Sequence, residues 1–413
     1  MKILIVNTSD IQGGAARAAY RLHRSLLDAN IDSQMLVQSK ASDDYTVITE
    51  NSRLRKYINK LRPIIDGLPV RKYKNRTKTL FSSSWFGFNN IATKINKINP
   101  DIIHLHWVNG GMLKIEDIAR IKAPIVWSLH DMWAFTGGCH YDEECQGFLK
   151  GCGNCKVLRS SSQNDLSKKV FKRKQKTFNI KKDITIIGLS SWLNECSKNS
   201  TLLKTKIHIN LPNPIDTDIF KPFDKDKARE LWNLSTGKKL VLFGAMSATS
   251  DPRKGLKELN EGMTKMQQSK DIELVVLGST KPQNAPNLGF KTHYLGSLAD
   301  DVSLVTLYSA VDVTVVPSLQ ENLSNTIMES LSCGTPVVAF DIGGNNDMID
   351  HKKNGYLAKP FDSQDLANGI EWILANDNYV SLCKNARYKV LRDFDSKVIA
   401  KKYIQLYKET LGR

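Results

Sequence analysis

Short runs of aliphatic and β-branched residues alternate with helical patterns along the first half of the chain. The run KILIVN begins at residue 2, and a Gly-Gly turn and the amphipathic stretch AARAAYRLHRSLLDAN follow it. Similar apolar runs recur as SQMLVQ, DIIHLHW, PIVWSLH and DITIIGLS. Short apolar strands separated by helices are typical of a parallel sheet that is covered on both faces. We therefore predict an α/β domain in this half.

Three prolines interrupt the pattern, namely Pro212, Pro214 and Pro222. Proline ends a helix and favours extended backbone in the residue before it, so this stretch is predicted to be a junction. The alternation then restarts with KLVLFGA, IELVVLG, VTVVPS and PVVAF, and a last helical pattern is SKVIAKKYIQLYKETL. The predicted parts are an N-terminal domain at 1–205, a linker at 206–222, a C-terminal domain at 223–390 and a helical segment at 391–413 that packs back toward the N-terminal domain.

The predicted fold class is α/β, with two Rossmann-like, doubly wound parallel sheets. Ligands bind outside the carboxyl ends of the strands in such sheets, so two facing domains imply a central cleft. The length of 413 residues suits two domains, and a hydrophobic content of 41% is ordinary for a globular protein. No apolar run approaches the ~20 residues that span a bilayer, and the N-terminus does not resemble a signal peptide. We therefore expect a cytoplasmic protein.

The net charge of +17 is confined to two stretches of the chain. Residues 53–78 hold ten Lys and Arg against one Asp, and residues 156–183 hold ten against two Asp. A localised basic surface suits anionic lipid, nucleic acid or a phosphorylated substrate. The first stretch also carries apolar residues near helical spacing and is followed by FSSSWFGF, which is typical of a segment lying on a membrane surface. The alternative is a solvated helix that packs on its own domain.

Four of the seven cysteines cluster in CHYDEECQGFLKGCGNC, namely Cys139, Cys145, Cys152 and Cys155. The final Cys-x2-Cys is typical of half a zinc knuckle, and four thiolates suffice for a closed structural zinc site. Free or redox-active thiols and a disulfide are the alternatives, and a disulfide is disfavoured in a cytoplasmic protein. We predict no metal for catalysis, because the Asp-x-Asp triplets lie in the linker or near the last helix.

Two glutamates, Glu321 and Glu329, mark the stretch PSLQENLSNTIMESLSCGTPVVAFDIGG. Glu321 follows the predicted strand VTVVPS, at the edge of the sheet where ligands bind, and Glu329 lies in the predicted helix that comes next. A carboxylate accepts two hydrogen bonds from vicinal hydroxyls, which sugars and riboses supply. The alternative is that Glu329 only caps its helix or forms a salt bridge within it.

The stretch ENLSNTIMESLSCGTPVVAFDIGG resembles the Glu-x7-Glu signature of retaining glycosyltransferases of family 4, which have the GT-B fold. The segment NPIDTDIFKP resembles the interdomain segment of that family, with Pro214 in place of the usual Gly. The pair Lys254–Gly255 and the stretches THYLGSL and YSAVDVTVVPS occur in the family's order. The resemblance covers essentially the whole chain and is most specific between residues 240 and 360.

This resemblance implies roles for the residues around the two glutamates. Glu329 is expected to bind the ribose of the donor, and Glu321 is expected to face the donor sugar. Backbone N–H groups at the start of the helix, those of Leu323, Ser324 and Asn325, are expected to bind the diphosphate, since helix N-termini favour anions.

Cations are expected beside the diphosphate, because cations aimed at the charge that grows on the leaving group lower the barrier. Lys254 matches the family's phosphate-binding lysine. The family's arginine five residues earlier is replaced here by Thr249. Arg253 is expected to take its role, and the alternative is an ordinary surface arginine. The resemblance thus implies that Lys254 and Arg253 act with Glu321 in catalysis.

In the first half, Gly13 and Gly14 stand just before the first predicted helix. Glycines there let the backbone approach a phosphate or a sugar closely, so both are assigned to donor binding. A Gly-Gly pair alone is a weak signal, because turns use it constantly. The resemblance strengthens it.

A histidine, His130, follows the predicted strand PIVWSL and resembles the family's histidine near the sugar and the acceptor. We therefore expect His130 to be a catalytic residue, although a single histidine is more often structural. His104 and His106 in IIHLHW have similar positions with less support from the sequence.

The sequence therefore predicts a retaining glycosyltransferase of cell-surface polysaccharide biosynthesis. It is expected to move a sugar from a nucleotide diphosphate-sugar, with a UDP-sugar weakly favoured, to a polyprenyl-linked or oligosaccharide acceptor. The basic N-terminal domain is expected to bind the acceptor at an anionic membrane surface. The alternatives are a sugar-nucleotide 2-epimerase of the same fold and a basic nucleic-acid-binding protein. Nucleic acid is disfavoured because no known binding module is recognisable.

Overall fold

The chain forms two compact units, each built around one parallel β-sheet. The computed structural model describes residues 1–49, 53–87, 91–244, 251–266, 271–281, 289–298 and 300–412, apart from the side chains of residues 53–56. The first unit comprises Met1–Asn213 and Ala400–Arg413, and the second comprises Pro214–Ile399. The prediction of two doubly wound parallel sheets is confirmed.

The sheet of the first unit has seven parallel strands in the order β3-β2-β1-β4-β5-β6-β7. The chain builds outward from β1 to one edge and then crosses back to start the other half at β4. Ligands bind at such a switch point, at the carboxyl ends of the strands. The strands are β1 (Lys2–Ser9), β2 (Asp32–Ser39), β3 (Val47–Ile48), β4 (Ile102–Leu105), β5 (Ile125–Leu129), β6 (Ile184–Gly188) and β7 (Ile207–Asn210).

Two helices of the first unit, α6 (Leu166–Ile180) and α7 (Ser191–Asn199), begin at polar caps. Asp165 accepts a hydrogen bond from the N–H of Lys168, and Ser190 accepts one from the N–H of Leu193, so both fix a helix start. Gly13 precedes the first helix without a side-chain cap. The helices are α1 (Gly14–Asp28), α2 (Arg53–Asp66), α3 (Leu68–Arg71), α4 (Ile91–Ile98), α5 (Gly147–Lys150), α6 (Leu166–Ile180) and α7 (Ser191–Asn199).

The sheet of the second unit has six parallel strands in the order β10-β9-β8-β11-β12-β13. Its switch point lies between β8 and β11. The central strands β11 and β12 are fully buried, as their β-branched and apolar sequences predict. The strands are β8 (Lys239–Gly244), β9 (Ile272–Leu277), β10 (Lys291–Tyr294), β11 (Val313–Val316), β12 (Val337–Phe340) and β13 (Gly355–Ala358).

The helices of the second unit cover both faces of this sheet. They are α8 (Lys225–Leu231), α9 (Leu256–Lys265), α10 (Asp301–Ala310), α11 (Asn325–Ser332), α12 (Asn345–Met348), α13 (Ser363–Leu374), α14 (Tyr379–Asp393) and the start of α15 (Ser396–Leu411). A short 3-10 turn, Pro252–Lys254, precedes α9. Its last residue is the lysine that the sequence singles out.

The unit boundaries differ from the sequence prediction at two places. Part of the predicted linker, Ile207–Asn210, forms strand β7 and pairs with β6 at the edge of the first sheet. Its side chains are exposed or half-buried, so it lacks the apolar run by which the inner strands are recognised. Residues 391–399, which we grouped with the last helical segment, belong to the second unit.

The last helix, α15, contributes two buried tyrosines to the first unit. Tyr403 and Tyr407 are fully buried. The hydroxyl of Tyr407 is hydrogen bonded to Nδ1 of His104 in β4 at 2.7 Å, and the hydroxyl of Tyr403 lies 3.3 Å from Oγ of Ser128 in β5. Both hydroxyls thus satisfy polar groups that β4 and β5 bury inside the unit.

Replacing Tyr407 tests the contribution of this contact to stability. Tyr407→Phe is expected to lower the free energy of unfolding by about 1–3 kcal/mol, because a buried nitrogen of His104 loses its partner. Tyr407→Ala is expected to cost about 3–5 kcal/mol, because it also leaves a cavity. Urea unfolding followed by circular dichroism measures both. As a control, Tyr388→Phe at a tyrosine that is 62% exposed should change stability by less than about 0.5 kcal/mol. Equal losses for the two Phe variants would contradict the assignment.

Candidate functional site

The two glutamates of the second unit lie at the carboxyl edge of its sheet, beside the switch point between β8 and β11. Strand β11 ends at Val316, the loop that follows carries Glu321, and α11 carries Glu329. Ser324 caps α11, because its side chain accepts a hydrogen bond from the N–H of Ile327. The strand, loop and helix predicted for this stretch are therefore present. The N-terminus of α11, formed by 323–325, lies between the two carboxylates in sequence.

Glu321 and Lys254 form an ion pair, with 3.2 Å between Oε2 and Nζ. Their side chains are 15% and 27% exposed, so both keep access to solvent. The backbone joins their loops as well, because the N–H of Leu319 donates to the carbonyl of Arg253 at 2.8 Å. Two of the residues that the sequence assigns to catalysis are thus brought into contact across 67 positions of the chain.

Two glycines allow these loops to approach so closely. A Cβ atom at Gly343 would lie 1.8 Å from the carbonyl oxygen of Glu321, and one at Gly255 would lie 1.8 Å from that of Pro317. Both glycines also have positive φ angles, 54° and 74°, which other residues rarely adopt. The backbone on either side of Glu321 therefore depends on the absence of side chains at 255 and 343.

Glu329 is buried, and Tyr308 of α10 holds one of its oxygens. The tyrosine hydroxyl donates to Oε2 of Glu329 at 3.0 Å, and Glu329 is 4% exposed. Burial and the negative charge of Glu329 raise the pKa of Tyr308 well above its usual value, so this hydroxyl remains a donor. The hydroxyl of Thr335 in turn donates to the carbonyl of Tyr308 at 2.7 Å. The carboxylate is therefore held in one orientation by a buried network.

Arg253 is engaged by a neighbouring carboxylate. Its Nη2 and Nε lie 2.7 and 3.1 Å from the two oxygens of Asp251, and its side chain is 39% exposed. The hydrogen bond from Arg253 is the largest influence on the pKa of Asp251 and lowers it. Thr249, which stands where the family has an arginine, lies outside the described residues. A phosphate role for Arg253 thus requires competition with Asp251 and stays a prediction.

In the first unit, Gly13 precedes α1 in a conformation that only glycine adopts readily. Its φ and ψ angles are 101° and 160°, and a Cβ atom there would meet nothing within 4 Å. The glycine is therefore required by the backbone, while the space beside it is open. Gly14 is the first residue of α1. Both stand at the carboxyl end of β1, next to the switch point of this sheet, as donor binding by this turn requires.

A buried aspartate fixes the same turn. Asp10 is fully buried and accepts hydrogen bonds from the N–H groups of Ile11, Ala41 and Ser42 at 2.8–3.0 Å. Burial alone would raise the pKa of Asp10, but these hydrogen bonds outweigh it and hold the pKa below its usual value. The ionised carboxylate thus joins the carboxyl ends of β1 and β2.

Three histidines form a cluster at the carboxyl ends of β4 and β5. Nδ1 of His106 lies 2.9 Å from Nε2 of His130, and the rings of His104 and His106 are 4.4 Å apart between centroids. Burial lowers the pKa of His104 to about 3 and that of His130 to about 4, and it lowers the pKa of His106 further below its usual value. All three rings are therefore neutral at pH 7. His104 and His106 belong to the same cluster as His130.

A second network begins at Asp131 and orients a tryptophan. Oδ2 of Asp131 accepts from the indole N–H of Trp107 at 3.0 Å and lies 2.6 Å from Nδ1 of His140, whose Nε2 lies 2.9 Å from Oγ of Ser82. The atoms follow the order of a catalytic Ser-His-Asp triad. Ser82 is only 8% exposed, however, and its backbone N–H is already bonded to a carbonyl. We read the network as a support that fixes the half-buried ring of Trp107 at the switch point.

The cysteine cluster is reduced and largely buried. Cys139, Cys152 and Cys155 are buried, Cys145 is exposed, and none of them forms a disulfide. Burial raises the pKa of Cys152 to about 12 and that of Cys155 to about 11, which disfavours reactive thiolates. Within the described ranges, no three His, Cys, Asp or Glu side chains are grouped so as to hold a metal ion. Structural zinc therefore stays a prediction without support from the structure.

A buried lysine holds the loop between the histidines and the cysteines. Lys174 of α6 is fully buried, and its ammonium group donates to the carbonyls of Trp133 and Thr136. It also lies 3.7 Å from the ring centroid of Trp133. Burial lowers the pKa of Lys174 to about 7. This part of the second basic stretch is therefore an internal brace rather than a solvated surface.

Sequence reasoning missed the residues that support the site. The sequence holds a usable signal for Asp10 and Trp107, because each is a hydrogen-bonding residue within two positions of the end of a strand that borders the switch point. Tyr308 and His140 gave none, since their roles depend on partners 21 and 9 positions away.

Parts of both halves of the chain match known protein families. Residues 237–376 match the family described as Glycosyl transferases group 1, and residues 33–142 match the family described as Glycosyl transferase 4-like. The first match includes Glu321, Glu329 and Lys254. The second contains β4, β5 and the histidine cluster.

Individual proteins are similar over different lengths. An uncharacterized glycosyltransferase of Methanocaldococcus jannaschii is 26% identical over 335 residues, which cover 76% of this chain and 77% of that protein. The N,N'-diacetylbacillosaminyl-diphospho-undecaprenol alpha-1,3-N-acetylgalactosaminyltransferase of Campylobacter jejuni is 29% identical over 52% of this chain and 57% of its own. The crystal structure of Anabaena HepE in complex with UDP-glucose superposes with a TM-score of 0.66 at 17% identity, covering 99% of this chain and 100% of that chain. This last likeness supports the GT-B fold.

The close approach at Gly343 gives a test of the site's architecture. Gly343→Ala is expected to lower the free energy of unfolding by about 2 kcal/mol or more, because the new Cβ would overlap the carbonyl of Glu321 in a strained backbone. Thermal unfolding measures the loss. Gly237→Ala serves as the control, since a Cβ there meets nothing within 4 Å, and it should be neutral or slightly stabilising. Similar melting temperatures for the two variants would contradict the close approach.

Proposed function

We propose, from the premise that both halves of the chain match glycosyltransferase families in a GT-B fold, that this protein is a retaining glycosyltransferase. It moves a sugar from a nucleotide diphosphate-sugar to a polyprenyl-linked or oligosaccharide acceptor in cell-surface polysaccharide biosynthesis. The observation that carries the proposal is the ion pair of Glu321 with Lys254 just before α11, together with the buried carboxylate of Glu329 within α11. The acceptor class is supported by the name of the Campylobacter relative, which acts on an undecaprenol-linked substrate.

The second unit binds the donor in this proposal. Glu329, oriented by Tyr308, accepts hydrogen bonds from the two ribose hydroxyls, and the N-terminus of α11 receives the diphosphate. Lys254 neutralises the charge that grows on the diphosphate as the glycosidic bond breaks. Glu321 holds Lys254 and orients the donor sugar. No protein base is assigned, because the departing phosphate can take the proton of the acceptor hydroxyl.

Glu329 provides the first test of donor binding. Calorimetry with UDP, GDP and ADP is expected to show tight binding of one nucleotide, with UDP favoured because the HepE neighbour was solved with UDP-glucose. Glu329→Ala is expected to weaken that binding at least tenfold, or about 1.4 kcal/mol, since two ribose hydrogen bonds are lost. Glu230→Ala, at an exposed glutamate of α8, is the matched control and should bind like the wild type.

The same experiment separates this proposal from the alternatives. If no nucleotide binds to the wild type, the glycosyltransferase proposal fails. Incubation with the matching nucleotide-sugar then distinguishes transfer from epimerisation, because transfer or hydrolysis releases free nucleotide diphosphate, whereas a 2-epimerase returns an altered nucleotide-sugar.

The first unit is proposed to bind the acceptor at an anionic membrane. Among the described residues, no helix has the length and apolar character needed to cross a bilayer. Helix α2 is instead amphipathic with its apolar side chains exposed and polar side chains buried. Its apolar side chains at helical spacing, Tyr57, Leu61 and Ile64, are 64%, 38% and 48% exposed, whereas Arg62 and Asp66 are 2% and 3% exposed. The apolar face therefore points to solvent and the polar face into the protein.

The surroundings of α2 explain this inversion. Asn59 donates to the carbonyl of Gln38 at 2.8 Å, and Arg62 lies 3.2 Å from Oε1 of the same glutamine, at the carboxyl end of β2. Leu68 and Trp85 extend the exposed apolar surface, with 45% and 40% of their areas accessible. Exposed cations lie in the same stretch of the chain, namely Lys60, Arg71, Lys72, Lys74, Arg76 and Lys78. A stretch that exposes both apolar side chains and cations suits a surface of anionic lipid.

Vesicle flotation tests the membrane proposal. The wild type is expected to float with phosphatidylcholine vesicles that contain phosphatidylglycerol, and to float less at high salt. The double variant Leu61→Asp/Ile64→Asp is expected to lose at least tenfold in affinity, since burying each side chain is worth about 1.5–3 kcal/mol. Leu231→Asp, at a leucine of α8 that is 68% exposed, is the control and should bind normally. If the wild type does not bind anionic vesicles at low salt, the membrane proposal is wrong.

A further inference from the structure

One buried nitrogen in the histidine cluster is left without a hydrogen bond. His106 is 3% exposed, and its Nε2 is buried with no partner within hydrogen-bond distance. Buried polar atoms are paired in the large majority of cases, so this exception calls for a physical reason. The other ring nitrogen, Nδ1, lies 2.9 Å from Nε2 of His130.

The neighbouring groups cannot satisfy that nitrogen. The ring of His104 lies 4.4 Å away between centroids, but its two nitrogens are bonded to Tyr407 at 2.7 Å and to Ser128 at 2.8 Å. The indole N–H of Trp127 donates to the backbone carbonyl of His106 at 3.2 Å rather than to its ring. Nε2 of His106 is therefore either unprotonated, with a lone pair that accepts no hydrogen bond, or protonated, with an N–H that has no acceptor.

Only one hydrogen can lie between Nδ1 of His106 and Nε2 of His130. It belongs to one nitrogen or to the other, and each choice fixes the tautomers of both neutral rings. If Nε2 of His106 carried its proton, a buried N–H would have no acceptor, which is the rarer and costlier defect in proteins. If Nδ1 carries the proton instead, it donates to His130, and the unpaired atom is only a lone pair. The second arrangement leaves Nε2 of His130 as an acceptor.

We propose that His106 is a positioning residue that donates from Nδ1–H to Nε2 of His130 and thereby fixes the proton of His130 on Nδ1. A neutral histidine in this tautomer offers an N–H donor from Nδ1 and has no unprotonated ring nitrogen left to act as a base. His130 therefore acts as a hydrogen-bond donor to an oxygen of its ligand. That this oxygen is an acceptor hydroxyl rests on the proposed function, whereas the tautomer does not.

The position of the pair suits this role. His106 follows β4 and His130 follows β5, the two strands are hydrogen-bonded neighbours, and β4 borders the switch point of the first sheet. The rings lie 5.2 Å apart between centroids. Burial keeps the pKa of His130 at about 4, so the ring is neutral over the pH range in which most enzymes work. A neutral ring carries one N–H, and the hydrogen bond from His106 determines which ring nitrogen of His130 bears it.

Nitrogen NMR of the ligand-free full-length protein tests the proposal directly. Protonated and unprotonated ring nitrogens of neutral histidine give well-separated 15N signals, and the chain has only 8 histidines. The protein is labelled with 15N-histidine and examined at pH 7, and the signals of the pair are assigned from His130→Gln and His106→Asn. We expect protonated Nδ1 and unprotonated Nε2 for both histidines in the wild type.

Two substitutions at His106 separate positioning from mere packing. The amide of His106→Asn places an N–H near the position of Nδ1, so His130 should keep its tautomer. His106→Leu removes the donor, and His130 should shift toward the Nε2–H form that free histidine prefers. His23→Leu, at another buried and hydrogen-bonded histidine of the first unit, is the control and should leave the signals of His130 unchanged.

The outcomes are decisive without an activity assay. Protonated Nε2 of His130 in the wild type overturns the proposal, and so does an unchanged tautomer in folded His106→Leu. If His106→Leu does not fold, as judged by thermal unfolding, the wild-type and His106→Asn spectra still decide. A protein that binds no nucleotide refutes the glycosyltransferase proposal but leaves the tautomer assignment intact.

Discussion

The second unit of this protein depends on two close approaches of backbone to backbone. The carbonyl oxygen of Glu321 occupies the space where a side chain at residue 343 would begin, and the carbonyl of Pro317 does the same at residue 255. Because both contacts exclude any Cβ, the loop after β11 is clamped between two other loops at the switch point. The clamp sets Glu321 against Lys254, which is 67 positions away in the chain. Close packing of backbone, rather than the charges themselves, therefore locates the ion pair, since exposed ion pairs contribute little on their own.

In the first unit, buried polar groups fix the loops that follow the strands. Asp10 gathers three backbone N–H groups, and Asp131 gathers the indole of Trp107 and the ring of His140. Each network pins the residues that follow a strand at the carboxyl edge of the sheet. Satisfied networks of this kind are rigid, whereas a half-satisfied one is costly. The unpaired Nε2 of His106 contrasts with the paired atoms of these two networks, and it therefore carries information about protonation.

The sequence predicted most of the fold, the roles of the site residues stay predictions, and the misses have physical causes. Buried strands such as β5 and β12 were predicted because inner strands of parallel sheets are continuously apolar, and the last helix was predicted over the residues that form it. Strand β7 was missed because an edge strand buries little. The resemblance assigned Glu321 and Lys254 to one site but did not predict their ion pair, and it did not predict that Asp251 engages Arg253, because both contacts depend on local loop geometry. No pattern in the sequence reports that Tyr308 donates to Glu329.

Helix α2 shows what a hydrophobic pattern cannot decide. The periodicity of apolar residues indicates a helix with two unlike faces, but it does not say which face is inward. An apolar face normally packs on the core, because burying it is favourable. Here Gln38, next to the end of β2, has a side chain and a carbonyl that require polar partners, and Asn59 and Arg62 supply them. The polar face is therefore drawn inward by hydrogen bonds, and the apolar face is left at the surface. A helix that keeps this arrangement gives up the burial of several large side chains, and the proposed contact with lipid would recover that burial.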